Sequence, residues 1–231
     1  MRIETTVFAV DDDAFAGACA FGGLPVRPGA ARMGGDFPHQ MAREQHRQYE
    51  CTESGKAAAR GAHDKELEQA ADFLDACKGD MEPLARALAS QIGDTPLVVH
   101  GANLTTAPAR RWANQFNENA KQLAFSAEIP EANHNLMEAW SKGSGGLGAV
   151  FLTDSGQSPR ERRRMELTAE AVDKTGAPVF KVETLGETRS ERLFWAVMFG
   201  DLVSVEVAAL RGVDPLPVDE IQNFKRRLGK T

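Results

Sequence analysis

The sequence predicts an α/β protein, a small parallel sheet flanked by helices and preceded by a poorly patterned N-terminal arm. Leu97-Val98-Val99 is a short apolar run without alternation, the composition of a strand buried on both faces, and Gly148 to Leu152 and Val179 to Val182 give the next two strands. Between them lie longer stretches whose apolar residues recur every three or four positions, the spacing of amphipathic helices. Their alternation from Pro96 to Gly212 is the element order of helices layered on a parallel sheet.

With 231 residues the chain is long enough to bury a proper core. Its formal charge of -6 and pI near 5.5 argue against a nucleic-acid partner, so any phosphate site must be local. Cys19, Cys51 and Cys77 lie far apart with no C-x-x-C, and His39, His46 and His63 are irregularly spaced. Neither a disulfide framework nor a metal site is supported, and a reduced, cytoplasmic chain is expected. Val7 to Val10 runs straight into Asp11-Asp12-Asp13, unlike a signal peptide, and no window is expected to span a membrane.

In order along the chain, residues 1–60 read as an arm, or as sequence foreign to the fold. A strand-like start at Thr5–Val10 gives way to a Gly, Pro and Arg-rich region and then a polar run. The domain is expected over 61–231. Its helical lead-in, 64–93, carries an apolar face of Leu67, Ala70, Ala71, Leu74 and Cys77, continued by Leu84, Ala87, Leu88 and Ile92. A break at Lys78-Gly79-Asp80, with Pro83 in the first turn beyond it, predicts two helices.

The α/β core is expected over 96–212. After the first strand, Gly101 to Thr106 turns into a helix near Pro108, with Thr105 and Thr106 available to cap it. A strand, a Gly/Thr loop and a helix start together make a candidate anion cradle. His100 reads as a satisfied core histidine at the strand end. Trp112, Phe116 and Ala120 share one helix face, and the chain turns at Ile129-Pro130. Ser158 caps a helix with Pro159 in its first turn, and the mixed charges from Arg160 to Glu170 mark a solvated face. From Ser190 the chain is apolar nearly all round to Leu210, which predicts a buried helix packed on the sheet and on a partner subunit. A two-proline turn, Val213 to Pro217, leads to an amphipathic terminal helix over 217–228.

Candidate chemistry concentrates between Gln115 and Trp140. Glu118 projects away from the buried stripe between Asn117 and Asn119, short amides able to orient a carboxylate. His134 is framed in the same way by Asn133 and Asn135. A carboxylate and an imidazole are the parts needed to move protons at neutral pH. Singly, each has an ordinary explanation as a solvated or backbone-satisfied group. Lys225, followed by Arg226 and Arg227, equally offsets the dipole at a helix C-terminus.

Two runs, QFNENAKQLAFSAEIPEANHN and FGDLVSVEVAALRGVDPLPVDEIQNFK, resemble the C-terminal half of the bifunctional phosphoglucose/phosphomannose isomerases, built on the sugar-isomerase (SIS) fold, over about 96–228. The resemblance implies a single SIS-type domain and interconversion of glucose or mannose 6-phosphate with fructose 6-phosphate, without metal or other cofactor. It implies Glu118 as the base, His134 as the group promoting ring opening, often from the adjoining subunit, and Lys225 acting at the ring oxygen. Thr105, Thr106 and Asn119 are the candidate substrate contacts. A homodimer is implied. Residues 1–60 supply none of the Ser/Thr-rich phosphate loops of that family's N-terminal half. Impaired activity is therefore expected, and three alternatives stand beside the isomerase: a non-catalytic sugar-phosphate-binding module, a dimerisation module, or one half of a split enzyme.

Overall fold

The apolar runs become the middle of a parallel sheet. Its strands are β1 (Val7–Phe8), β2 (Leu97–Gly101), β3 (Ala124–Glu128), β4 (Gly148–Thr153) and β5 (Val179–Glu183), in spatial order β1-β5-β4-β2-β3. The computed structural model describes residues 7–8 and 53–229, with side chains from residue 64. The chain divides into two units, residues 10–68 and residues 1–9 with 69–231, and the sheet belongs to the second. The expectations for the rest of the arm, including Cys19, Cys51, His39 and His46, lie outside the described residues, as does the His63 side chain.

Among the described residues six α-helices accompany the strands: α1 (Glu53–Ile92), α2 (Thr106–Glu118), α3 (Leu136–Trp140), α4 (Pro159–Asp173), α5 (Arg189–Leu210) and α6 (Asp219–Leu228). Successive strand residues point to opposite faces, and both faces are covered. Leu97 and Val99 of β2, with Val150 and Leu152 of β4, face a cluster supplied by α1, α2 and α5. Val98, Ala149 and Phe151 face a second cluster supplied by Ile129, Ala132, Trp140 and α4. That double burial is why these strands read as unbroken apolar runs.

Three expectations are corrected. The lead-in is one helix of 40 residues, not a pair, and Pro83 lies inside it. Pro83 and Gly79, whose carbonyl the proline leaves without a donor, are both solvent-exposed, so that carbonyl is open to water. The buried stripe Cys77, Met81, Ala85, Leu88 and Ile92 runs through the proline, whereas Leu67, Ala71 and Ala87 are exposed. Tertiary packing overrides the local break.

Second, β3 is an additional strand. As the sheet's outer member it leaves Phe125 exposed, so its pattern never becomes an apolar run. Third, α5 is buried along one stripe, Trp195, Phe199, Val203 and Val207, while Phe194, Val205 and Leu210 are exposed. Among the described residues it is the helix long and apolar enough to cross a membrane by length and composition. Its packing is that of a core helix.

The α2–α5 contact is close. Trp112 is fully buried, donates from Nε1 to the Ala196 carbonyl at 2.7 Å, and its ring meets Phe199. A Cβ placed on Gly200 would lie 2.0 Å from that same Nε1. Arg111 adds two hydrogen bonds to Asp201, and Arg86 of α1 adds two to Glu206 of α5.

Candidate functional site

Glu118 is the last residue of α2 and its side chain is exposed. The amides beside it brace the backbone and leave the carboxylate alone. Asn117 pairs with both backbone groups of Ala124, donating to its carbonyl at 2.9 Å and accepting from its N–H at 3.0 Å. Asn119 donates to Gln115 at 2.9 Å and to the Ser204 hydroxyl at 2.8 Å, which ties the end of α2 to α5. Two residues expected to orient Glu118 directly thus fix the helix end that presents it. The Arg111 guanidinium, two turns earlier, is held above its ordinary range by its hydrogen bond to Asp201, with a small addition from the charge of Glu118.

Beyond Asn119 the chain reverses through Lys121, whose φ of 50° is in the left-handed region. This turn points the Lys121 ammonium at three carbonyls, those of Glu118, Pro215 and Pro217, the last at 2.7 Å. The carbonyl of Glu118 is one that a helix end leaves without a partner, and a cation is its natural satisfier. Pro215 and Pro217 belong to the loop between α5 and α6, so the start of the terminal helix is anchored beside the end of α2. α6 itself buries no residue; Lys225 is exposed, as are Ile221, Phe224 and Leu228.

His134 lies elsewhere. It follows a turn of 3-10 helix, Glu131–Asn133, and is exposed on the segment that packs against the α4 face of the sheet. Asn133 turns its amide away from it, to Thr168 of α4 at 2.7 Å. The helix that carries Glu118 packs on the opposite face. Within one chain, Glu118 and the loop into α6 are brought together, and His134 stands across the edge strand from them.

A second locus is set by topology. β2 passes to β3 on one side, and β4 and β5 build outward on the other, so the carboxyl ends of β2 and β4 flank a switch point, the position where open α/β sheets form a crevice. Thr105 and Thr106 stand there. Thr105 is fully buried, and its hydroxyl donates to the Leu152 carbonyl at 2.8 Å and accepts from the Ala102 N–H at 2.9 Å, stitching the two strands. Its oxygen is therefore spent within the fold. The Thr106 hydroxyl is buried with no hydrogen-bond partner among the described residues.

The opposite wall is the loop from Asp154 to Ser158. Asp154 is buried and accepts from Arg192, from the Thr184 hydroxyl and from the Gly156 N–H. A side chain at Gly156 would collide with Asp154 and Arg192, which is the trace this arrangement leaves in the sequence. Ser158 caps α4 as expected, and the Glu161 carboxyl is held below its usual range, first by the Ser158 hydroxyl and then by its backbone, with a smaller contribution from Asn103 across the crevice.

His100, at the end of β2, corrects another expectation. It is fully buried and stacked on Phe151 at 4.5 Å, but neither ring nitrogen has a hydrogen-bond partner among the described residues. Burial lowers its pKa to about 4.

Comparison with known proteins places this arrangement. The chain is 36% identical over 135 residues to the bifunctional phosphoglucose/phosphomannose isomerase of Thermoplasma acidophilum, covering 57% of this chain and 41% of that protein. It is 30% identical over 172 residues to the protein of the same name from Aquifex aeolicus, covering 74% and 54%. The chain thus spans about half the length of these relatives. In fold it is similar to the C-terminal domain of glucosamine-fructose-6-phosphate aminotransferase from Francisella tularensis, with a TM-score of 0.52, 13% identity, and coverage of 66% of this chain and 46% of that one. Residues 82–228, from the last third of α1 to the last residue of α6, match the model of the bacterial phospho-glucose isomerase C-terminal SIS domain, and the chain belongs to that family.

Proposed function

We propose that the chain carries the proton-transfer half of a hexose 6-phosphate isomerase, interconverting glucose 6-phosphate or mannose 6-phosphate with fructose 6-phosphate. Glu118 removes the proton from C2 of the open-chain aldose, the electrons move through the enediol, and the same carboxyl returns the proton to C1. Lys225 and His134 act at the ring oxygen, donating a proton as the ring opens. The observation that carries this reading is the placement of Glu118. It lies exposed at a helix end braced by Asn117 and Asn119, beside the anchored start of α6, inside the family-matched segment.

Because His134 lies across the edge strand from Glu118, the reading assigns it to the site of a second copy, which makes the working unit a homodimer. A partner surface over Glu118 would also exclude water, and a carboxylate becomes a better base as it is desolvated. The test is a coupled assay of the purified chain with fructose 6-phosphate and mannose 6-phosphate. Wild type should turn over, and Glu118→Gln should lose about a hundredfold or more with its thermal unfolding unchanged. A fully active Glu118→Gln defeats the assignment.

One observation favours a second reading. The chain spans about half the length of its relatives, so the groups that hold a phosphate there need not be present here. On that reading the protein binds sugar phosphates without turning them over, or waits for a separately encoded half. Thermal stabilisation by fructose 6-phosphate in the absence of turnover would select it.

A further inference from the structure

Lys121 is explained only in part by its place after α2. A cation at a helix end satisfies free carbonyls, and one bond to Glu118 would suffice for that. Instead the ammonium also takes the carbonyls of Pro215 and Pro217, 94 and 96 residues further on, at 3.4 and 2.7 Å. The residue adopts a left-handed backbone conformation, uncommon for a side chain other than glycine, asparagine or aspartate, at the turn that gives it this reach. Two prolines within three residues stiffen the loop it holds. The helix beyond that loop buries none of its residues, so its own packing does little to fix its direction.

We propose that Lys121 is a positioning residue: by clamping the α5–α6 loop to the carbonyl of Glu118, it sets the terminal helix, and with it Lys225, at a fixed place relative to the Glu118 carboxylate. The proposal rests on the isomerase reading for its catalytic consequence, but the clamp itself does not. An ammonium has three protons, and the three carbonyls supply one acceptor for each. Lys121 touches no reacting atom, and its contribution is to hold two groups in register. A displacement of about 1 Å in a reacting group costs up to about a hundredfold in rate.

The experiment compares wild type, Lys121→Met and Lys121→Arg as full chains, by amide hydrogen exchange and by turnover of fructose 6-phosphate. In Lys121→Met, exchange over residues 213–228 should quicken about tenfold or more while α2 and β3 keep their wild-type protection. In the same variant kcat should fall about tenfold or more, with KM within about twofold, because the substrate still binds and only the alignment of acid and base is lost. Lys121→Arg keeps the charge and several donors and should recover most of both. Unchanged exchange over 213–228 in Lys121→Met overturns the clamp. Faster exchange with kcat intact overturns its part in catalysis, and equal quickening throughout α2 and β3 shows general destabilisation and overturns it as well. If wild type does not turn over, or Glu118→Gln is active, the isomerase reading falls, and the exchange comparison still decides the clamp.

Discussion

At the scale of single residues, His100 makes the sharpest prediction. Its folded pKa is about 4, against 6.5 for the free side chain; the cause is burial, and neither nitrogen has a hydrogen-bond partner among the described residues. A group that binds its proton more weakly when folded gives stability that is complete above about pH 6.5 and lost as the pH falls toward 4. Over that window the loss amounts to about 3 kcal/mol. Urea unfolding between pH 7 and pH 4.5 should therefore show a steeper fall for wild type than for His100→Leu, which cannot titrate. Parallel pH profiles would show that His100 is solvated or paired in solution. The sequence placed this histidine correctly in the core and misjudged its hydrogen bonding, because a stacking partner 51 positions away leaves no mark near it. Asn117 and Asn119 were misread for a similar reason. Their nearness to Glu118 in sequence suggested contact, whereas a strand start and a neighbouring helix compete for the same amides.

At the scale of elements, the contact between α2 and α5 rests on the absence of a side chain at Gly200. The Trp112 indole fills the space where a Cβ would stand, and its N–H is bonded to Ala196 one turn earlier on α5, so the ring cannot swing aside without stranding that bond. Gly200→Ala should cost about 3 kcal/mol, outweighing the alanine's better helix propensity of about 1 kcal/mol. Thermal or urea unfolding reads this directly, and a neutral or stabilising alanine would show that the two helices are free to separate. Much of this layer was legible in advance: the Trp112–Phe116 stripe, the cap at Ser158 and the strands β2, β4 and β5 all follow from local period and composition. Where long-range packing decides, legibility ends. Pro83 lies within a continuous helix because the stripe on either side of it is buried against the same core, and β3 escaped notice because an outer strand has only one neighbour to demand apolar residues of it.

At the scale of the whole molecule, the separation of Glu118 from His134 makes a prediction about assembly. If each site takes its carboxylate from one copy and its imidazole from the other, Glu118→Gln and His134→Ala are each inactive alone. Mixed after reversible dissociation, they should regain about a quarter of wild-type activity, since half the dimers are mixed and each of those has one intact site. Activity no higher than the sum of the two variants would place both groups in one chain or remove one of them from the reaction. The placement of Glu118 and His134 on opposite faces of the sheet could not be read from spacing, which gives proximity along the chain but not the face on which a loop descends.

The apolar helix α5, buried along one stripe and exposed elsewhere, also bears on how the chain is made. Residues 189–210 leave the ribosome only after residues 106–118, whose Trp112 and Phe116 form the surface that receives them. A segment that membrane-insertion machinery could accept on length and composition thus emerges with its docking site already synthesised. Moving the same stretch to the front of the gene, with every amino acid kept, would remove that protection and leave the nascent chain open to capture by lipid or by other unfolded chains.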